Sequence, residues 1–230
     1  LNQTCRPPTK GRVLEIGSGD NPHPRADVLV DRYLRDNTER HGDLCVDRPL
    51  VVADAHYLPF QNGVFAYSIC SHILEHLDHP QQFARELERV SKAGYIGCPS
   101  EIAERLFHWA FHRWYVNLVG QTLVLYPKEE TEPFGELFDY LYEHNPAYHF
   151  FQRSMPDLFW VEKEWQTTLN LRVTGNSPLL LNDPVVLRQI VQPKFSLWQL
   201  MGIFLTSMVT RIFPFNIRHL LRRFLKRSYL

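Results

Sequence analysis

Five short apolar runs punctuate the first hundred residues, each closing on an acid, a glycine, a proline or a serine. They are Val13–Ile16 before Gly17, Val28–Val30 before Asp31, Leu50–Ala53 before Asp54, Phe65–Cys70 before Ser71, and Tyr95–Cys98 before Pro99. Such runs suit strands that are covered on both faces. Between the fourth and fifth, Pro80–Val90 spaces Phe83, Leu87 and Val90 as one helical face does. Pro80 fits its first turn, where an N–H would have no partner anyway. Strand and helix signals in alternation predict an α/β fold with a mostly parallel sheet and flanking helices.

The second half is less regular. Ser100–Leu118 reads as a helix, with Ser100 as N-cap and Glu101 and Glu104 in its opening turns. Thr122–Tyr126 reads as a strand, Phe134–Tyr142 as a helix, and Phe159–Val173 as one or two strands. Leu197–Val209 is apolar and uncharged but shorter than the roughly 20 residues a spanning helix needs. After Pro214, Ile217, Leu220, Leu221, Phe224 and Leu225 recur at helical spacing among five basic residues, the pattern of an interfacial amphipathic helix. The expected organisation is a main domain at 1–183, with an aromatic-rich cap over roughly 100–170, and a basic apolar tail at 184–230.

Composition changes this picture in one respect. The net charge is zero, yet every acid lies at or before Asp183, so residues 1–183 carry −8 and the remainder +8. A tail of that sign suits an anionic surface, and residues 195–230 are expected to meet a membrane face. Basic residues interleaved with aromatics are confined to the tail, which disfavours nucleic acid as a partner. Four scattered cysteines without a Cys-x-x-Cys pair, and a polar Leu1–Lys10 in place of a signal peptide, predict a reduced, cytoplasmic chain.

The candidate chemistry begins at Val13–Asp31. An acid, Glu15, precedes Gly17-Ser-Gly19, and a second apolar run ends on Asp31. Glycines let backbone approach a ligand closely, and an acid at a strand's carboxyl end can accept from ribose hydroxyls. Pro22 and Pro24 stand where a phosphate-binding helix would begin, so the first helix must be very short or replaced by a turn. That points to a nucleoside smaller than a dinucleotide.

Taken in order, Glu15-Ile-Gly-Ser-Gly, Asp31, Asp54-Ala-His-Tyr-Leu-Pro-Phe and Ser71-His-Ile-Leu-Glu-His-Leu resemble the class I S-adenosylmethionine-dependent methyltransferases, in the type 11-like branch of small-molecule enzymes. The resemblance covers about residues 12–100 and implies a Rossmann-like sheet and S-adenosylmethionine as cofactor. It implies that Gly17 and Gly19 pass beneath the methionine part and that Glu15 helps hold its amino-acid end. It gives Asp31 the ribose, Asp54 and Ala55 the adenine, and Ser71 and His72 a place beside the cofactor. His76 matches a frequent position of the family.

Histidines at 72 and 76, and at 108 and 112, are four apart, as on one helical face. His72, His76, His108 and His112 are candidate general bases. No cysteine or acid evidently completes a metal shell around either pair, so no metal is expected. The function these features predict is methyl transfer to a small or lipid-linked acceptor in cell-envelope polysaccharide or lipid synthesis. The alternative is a non-catalytic module that binds S-adenosylmethionine, or a partner, through the same fold.

Overall fold

In the computed structural model the described residues are 5–40, 42–128, 135–178, 184–191 and 195–212. They fall into two compact units, one of 1–101, 110–130 and 160–179, the other of 102–109, 131–159 and 180–230. The stretch 100–170 therefore divides between the two.

The first unit is built on β1 (Val13–Ile16), β2 (Val28–Asp31), β3 (Leu50–Val52), β4 (Tyr67–Ser71), β5 (Ala93–Pro99) and β8 (Trp160–Gln166), in the order β3-β2-β1-β4-β5-β8. The first five pair in parallel, and β8 adds an antiparallel edge against β5. All four residues of β1 are buried, Val13, Leu14 and Ile16 as apolar strand positions and Glu15 as an acid among them. Among the described residues, α1 (Pro80–Val90) is the one helix connecting parallel neighbours; the crossings from β1 to β2, β2 to β3 and β3 to β4 run through turns. The short first helix is thus replaced outright. Pro22 and Pro24 remove two N–H donors and push the residues before them out of helical geometry.

Helix α1 turns Phe83, Ala84, Leu87 and Val90 inward. They meet Leu14, Ile16 and Ile96 of the large sheet in a core that also takes Val116, Leu123 and Leu125. Those last three come from a small sheet of β6 (Trp114–Val119), β7 (Thr122–Pro127) and β9 (Leu171–Val173), ordered β6-β7-β9. The helix expected over Ser100–Leu118 is corrected here. Helix α2 covers only Glu101–Phe107, His108 turns to φ +48°, and Trp114–Val119 is a strand. Aromatic and β-branched residues favour the pleated hairpin. Gly120, at φ +60°, supplies its tight turn.

The second unit contains α3 (Gly135–His144), α4 (Pro146–Ser154), α5 (Pro156–Phe159), α6 (Pro184–Val191) and α7 (Leu197–Ile212). Asn145 caps α4, accepting from the N–H groups of Ala147 and Tyr148, and Pro146 follows at the first helical position. Phe107 stacks on Trp109 at 4.9 Å, with Phe138, Tyr142 and Tyr148 around it. The apolar Leu197–Val209 run is the body of α7. Among the described residues no helix is long and apolar enough to cross a membrane. The basic amphipathic helix expected after Pro214 lies outside the described residues.

Candidate functional site

Strand register lines up the carboxyl ends of the parallel strands. Asp31 pairs in register with Val52, so Asp54 follows on the adjacent strand end. Ile16 pairs with Cys70, which sets Gly17 beside Ser71. From β3 to β4 the edge therefore carries Asp54, Asp31, the glycine loop and Ser71. Strand order reverses between β1 and β4, the place where open α/β sheets bind ligands.

The loop is shaped by two left-handed glycines. Gly17, at φ +69°, donates its N–H to Val30 O at 2.8 Å, and a Cβ there would come within 3.2 Å of Ile73. Gly19, at φ +56°, donates to Asp31 Oδ2 at 3.2 Å. The other Asp31 oxygen takes the Tyr33 N–H at 3.0 Å, and Arg40 Nη1 stands 3.5 Å from Oδ2. Ser18 Oγ and Arg40 Nε are buried beside this loop with no hydrogen-bond partner among the described residues.

Glu15 is turned back onto its own loop, where Oε2 accepts the His23 N–H at 2.7 Å. Arg48 braces the same turn by donating to the carbonyls of His23 and Ala26 at 2.9 and 2.7 Å. Burial pushes the Glu15 carboxyl up to about 7, against the lowering effects of the His23 bond and of Arg48. The folded chain therefore keeps a proton that the unfolded chain releases near pH 4.5. The resulting stability is complete below that pH and is lost as pH climbs through 7, a change of about 3 kcal/mol. Glu15→Gln should abolish the loss, so that urea midpoints at pH 5 and pH 8 diverge for the native sequence and not for the variant. Parallel shifts in both proteins would mean that Glu15 ionises freely.

Asp54 faces protein partners. Its Oδ1 accepts from His56 Nδ1 at 2.6 Å and from the His56 N–H at 2.9 Å, and Oδ2 lies 3.5 Å from Arg32. Burial would raise this carboxyl, but the two His56 bonds hold it below the usual range. His56 Nε2 accepts the His79 N–H at 3.2 Å, so Nδ1 carries the ring proton. Ala55 is buried behind this turn. Glu86 and Arg89 of α1 clamp the Leu58 and Phe60 backbone that follows.

The histidines do not share helical faces. His72 sits at φ +55° just past β4, donates its N–H to Gly97 O at 2.8 Å, and sets its exposed ring edge-on to Trp160. His76 ends a single 3-10 turn, Leu74–His76. His108 and His112 fall into different units, His108 just past α2 and His112 just before β6. The structure instead joins His76 to His112, with ring centroids 4.6 Å apart, and adds Glu75, which is 1% exposed. Burial alone would raise the Glu75 carboxyl, but the surrounding histidines bring it down to about 2. Glu75, Arg40 and His56 were not among the expected site residues. Glu75 was hidden between Leu74 and Leu77, and its one signal was an acid set beside a histidine directly after a strand.

Residues 30–96 match the family model described as "Methyltransferase domain", from the end of β2 to the middle of β5. This stretch of the first unit is similar to a methyltransferase domain. The similarity points to S-adenosylmethionine as the ligand. The residues at this edge fit such a ligand: a loop of two left-handed glycines, crowded at Gly17 by Ile73, two strand-end carboxylates, and buried polar atoms beside them without a partner among the described residues. Similar solved structures include the YcgJ protein of Bacillus subtilis, 21% identical, over 46% of this chain and 52% of that one, at a TM-score of 0.35. An S-adenosylmethionine-dependent methyltransferase of Thermotoga maritima is 18% identical over 42% and 46% of the two chains, at 0.32. The [4+2]-cyclase SpnF is 19% identical over 40% and 39%, also at 0.32. The matched part of this chain spans about half of these proteins or less. No curated protein matches it.

Proposed function

We propose that this chain transfers a methyl group from S-adenosylmethionine to a small or lipid-linked acceptor. The observation that carries the proposal is the gathering of Gly17, Gly19, Asp31, Asp54 and Ser71 along one strand-end edge. Bound S-adenosylmethionine supplies a methyl group already activated on sulfur, so the protein's tasks are binding, alignment, exclusion of water and receipt of a proton. The glycine loop gives the cofactor close backbone approach. Asp31 accepts from its ribose hydroxyls, and Asp54 with Ala55 reads its adenine. Glu15 acts on the amino-acid end through the His23 turn. His72, exposed beside Ser71, is placed to take a proton from the acceptor. Incubating the chain with S-adenosylmethionine and fractionated lipid and sugar extracts should generate S-adenosylhomocysteine with at least one fraction. Binding of the cofactor without turnover on any fraction would favour the non-catalytic alternative.

The lipid-linked acceptor rests on α7 and the tail. Leu197, Trp198, Met201, Phe204 and Leu205 are exposed at spacings that put them along one side of α7. The eight basic residues and no acids after Asp183 add attraction to anionic lipid. This pairing suits a helix lying in one leaflet, within reach of acceptors in envelope lipid or polysaccharide synthesis. Vesicles containing phosphatidylglycerol should sediment the full chain in a salt-sensitive way, and deletion of 195–230 should leave it in the supernatant. Unchanged sedimentation after the deletion would remove the membrane reading.

A further inference from the structure

The turn after β4 and the segment leading into β6 are stitched together. The Arg113 N–H donates to Glu75 O at 2.8 Å, the Lys128 N–H to Arg113 O at 2.9 Å, and Trp114 Nε1 to Leu77 O at 2.6 Å. An ion pair at 3.0 Å joins Arg113 to Asp78. These bonds hold His112 against Glu75 and His76. One donor atom from each of the three lies within 4.8 Å of the other two. Phe111 stacks on the His76 ring at 5.5 Å and fixes its plane.

Neither oxygen of Glu75 has a hydrogen-bond partner among the described residues, and His72 Nδ1 stands 3.4 Å from Oε1, outside bonding geometry. Leaving a buried carboxylate in that condition costs several kcal/mol unless a cation is close. Two imidazoles and one carboxylate are the donors of catalytic zinc sites and of other divalent transition-ion sites, which keep a position open for water or substrate. Calcium and magnesium prefer all-oxygen shells and fit this set poorly. Tetrahedral bonds of about 2.1 Å would need the donors roughly 3.4 Å apart, an adjustment within reach of side-chain rotation.

We propose that Glu75, His76 and His112 form a three-ligand site for a divalent transition ion with an open coordination position. The site stands on the packing of the first unit alone. Its chemical use rests on the methyl-transfer reading: an ion just past Ser71 and His72 would take an acceptor hydroxyl into its open position and ease loss of its proton.

The test is titration of the chelator-treated full chain with Zn²⁺ by calorimetry, and with Co²⁺ by its visible absorption. One ion per chain should bind saturably, and Co²⁺ should develop the intense bands of a low-coordinate site. Glu75→Gln and His112→Ala should each weaken binding by more than about 100-fold, while His108→Ala, outside the cluster, should leave it unchanged. Circular dichroism of ion-free samples checks folding, with His112→Gln as the substitute for a variant that fails it. No saturable binding, or affinity indifferent to Glu75→Gln in a folded chain, would overturn the site. S-adenosylmethionine titrated into the same ion-free samples reads the cofactor separately, so the two conclusions can fail independently.

Discussion

Gly94→Val should unfold the large sheet or bring it to the edge of unfolding, with a loss of about 3 kcal/mol or more. Gly94 lies in β5 between β4 and β8, in register with Ser68 and Trp165. A Cβ there would come within 2.5 Å of Ser68 Oγ, 2.6 Å of the Ser68 carbonyl oxygen and 2.8 Å of Trp165 Nε1. The Ser68 hydroxyl can rotate away, but the carbonyl belongs to a strand that cannot shift without breaking its ladder. Valine adds two further carbons to that already crowded Cβ. Gly175→Ala is the matched control, since nothing stands within 4 Å of its Cβ. Urea unfolding should separate the two by a large drop in midpoint for Gly94→Val alone. Similar midpoints would mean that β4, β5 and β8 are not packed as described, and the site edge set by β4 would go with them.

The second large effect is on cofactor affinity. Replacing both Asp31 and Asp54 by alanine should weaken S-adenosylmethionine binding by about 100-fold or more. A hydrogen bond to a charged acceptor contributes roughly 1.5–3 kcal/mol, and two are removed. Asp31 also fastens the loop through the Gly19 N–H, so its loss frees the backbone the ligand needs. Both acids already have cationic neighbours, Arg40 for Asp31 and Arg32 for Asp54, with His56 on the other Asp54 oxygen. Ligand hydroxyls and amines must share or displace these partners, so the measured loss reports the difference between the two sets of contacts. A double variant that keeps its fold and its affinity would move the nucleoside elsewhere.

The parallel half of the fold was legible because each strand there is a short apolar run with a hard stop. Helix α1 was legible for a related reason: Pro80, Phe83, Leu87 and Val90 obey helical spacing without interruption. Ser100–Leu118 misled because its aromatic residues suit a helix face and a hairpin equally well. Only the pairing of Tyr115 with Tyr126 and of Val116 with Leu125 settles it. The same long-range pairing was needed for the site. Gly17, Asp31 and Asp54 are visible as motif positions, but His112 reaches Glu75 only through the segment that enters β6. Spacing of four between histidines suggested two helical pairs; a positive φ at His72 and at His108 breaks both. Arg40 carries no local signal, because its partner Asp31 is met through a loop rather than along a strand.

The most direct test of the account is a calorimetric titration of the intact chain with S-adenosylmethionine, with NAD as the comparison ligand. The glycine loop without its helix, flanked by Asp31 and Asp54, predicts saturable binding of one S-adenosylmethionine per chain and no heat from NAD. Absence of saturable S-adenosylmethionine binding, or equal affinity for NAD, would contradict the assignment of this strand-end edge as a methyl-donor site.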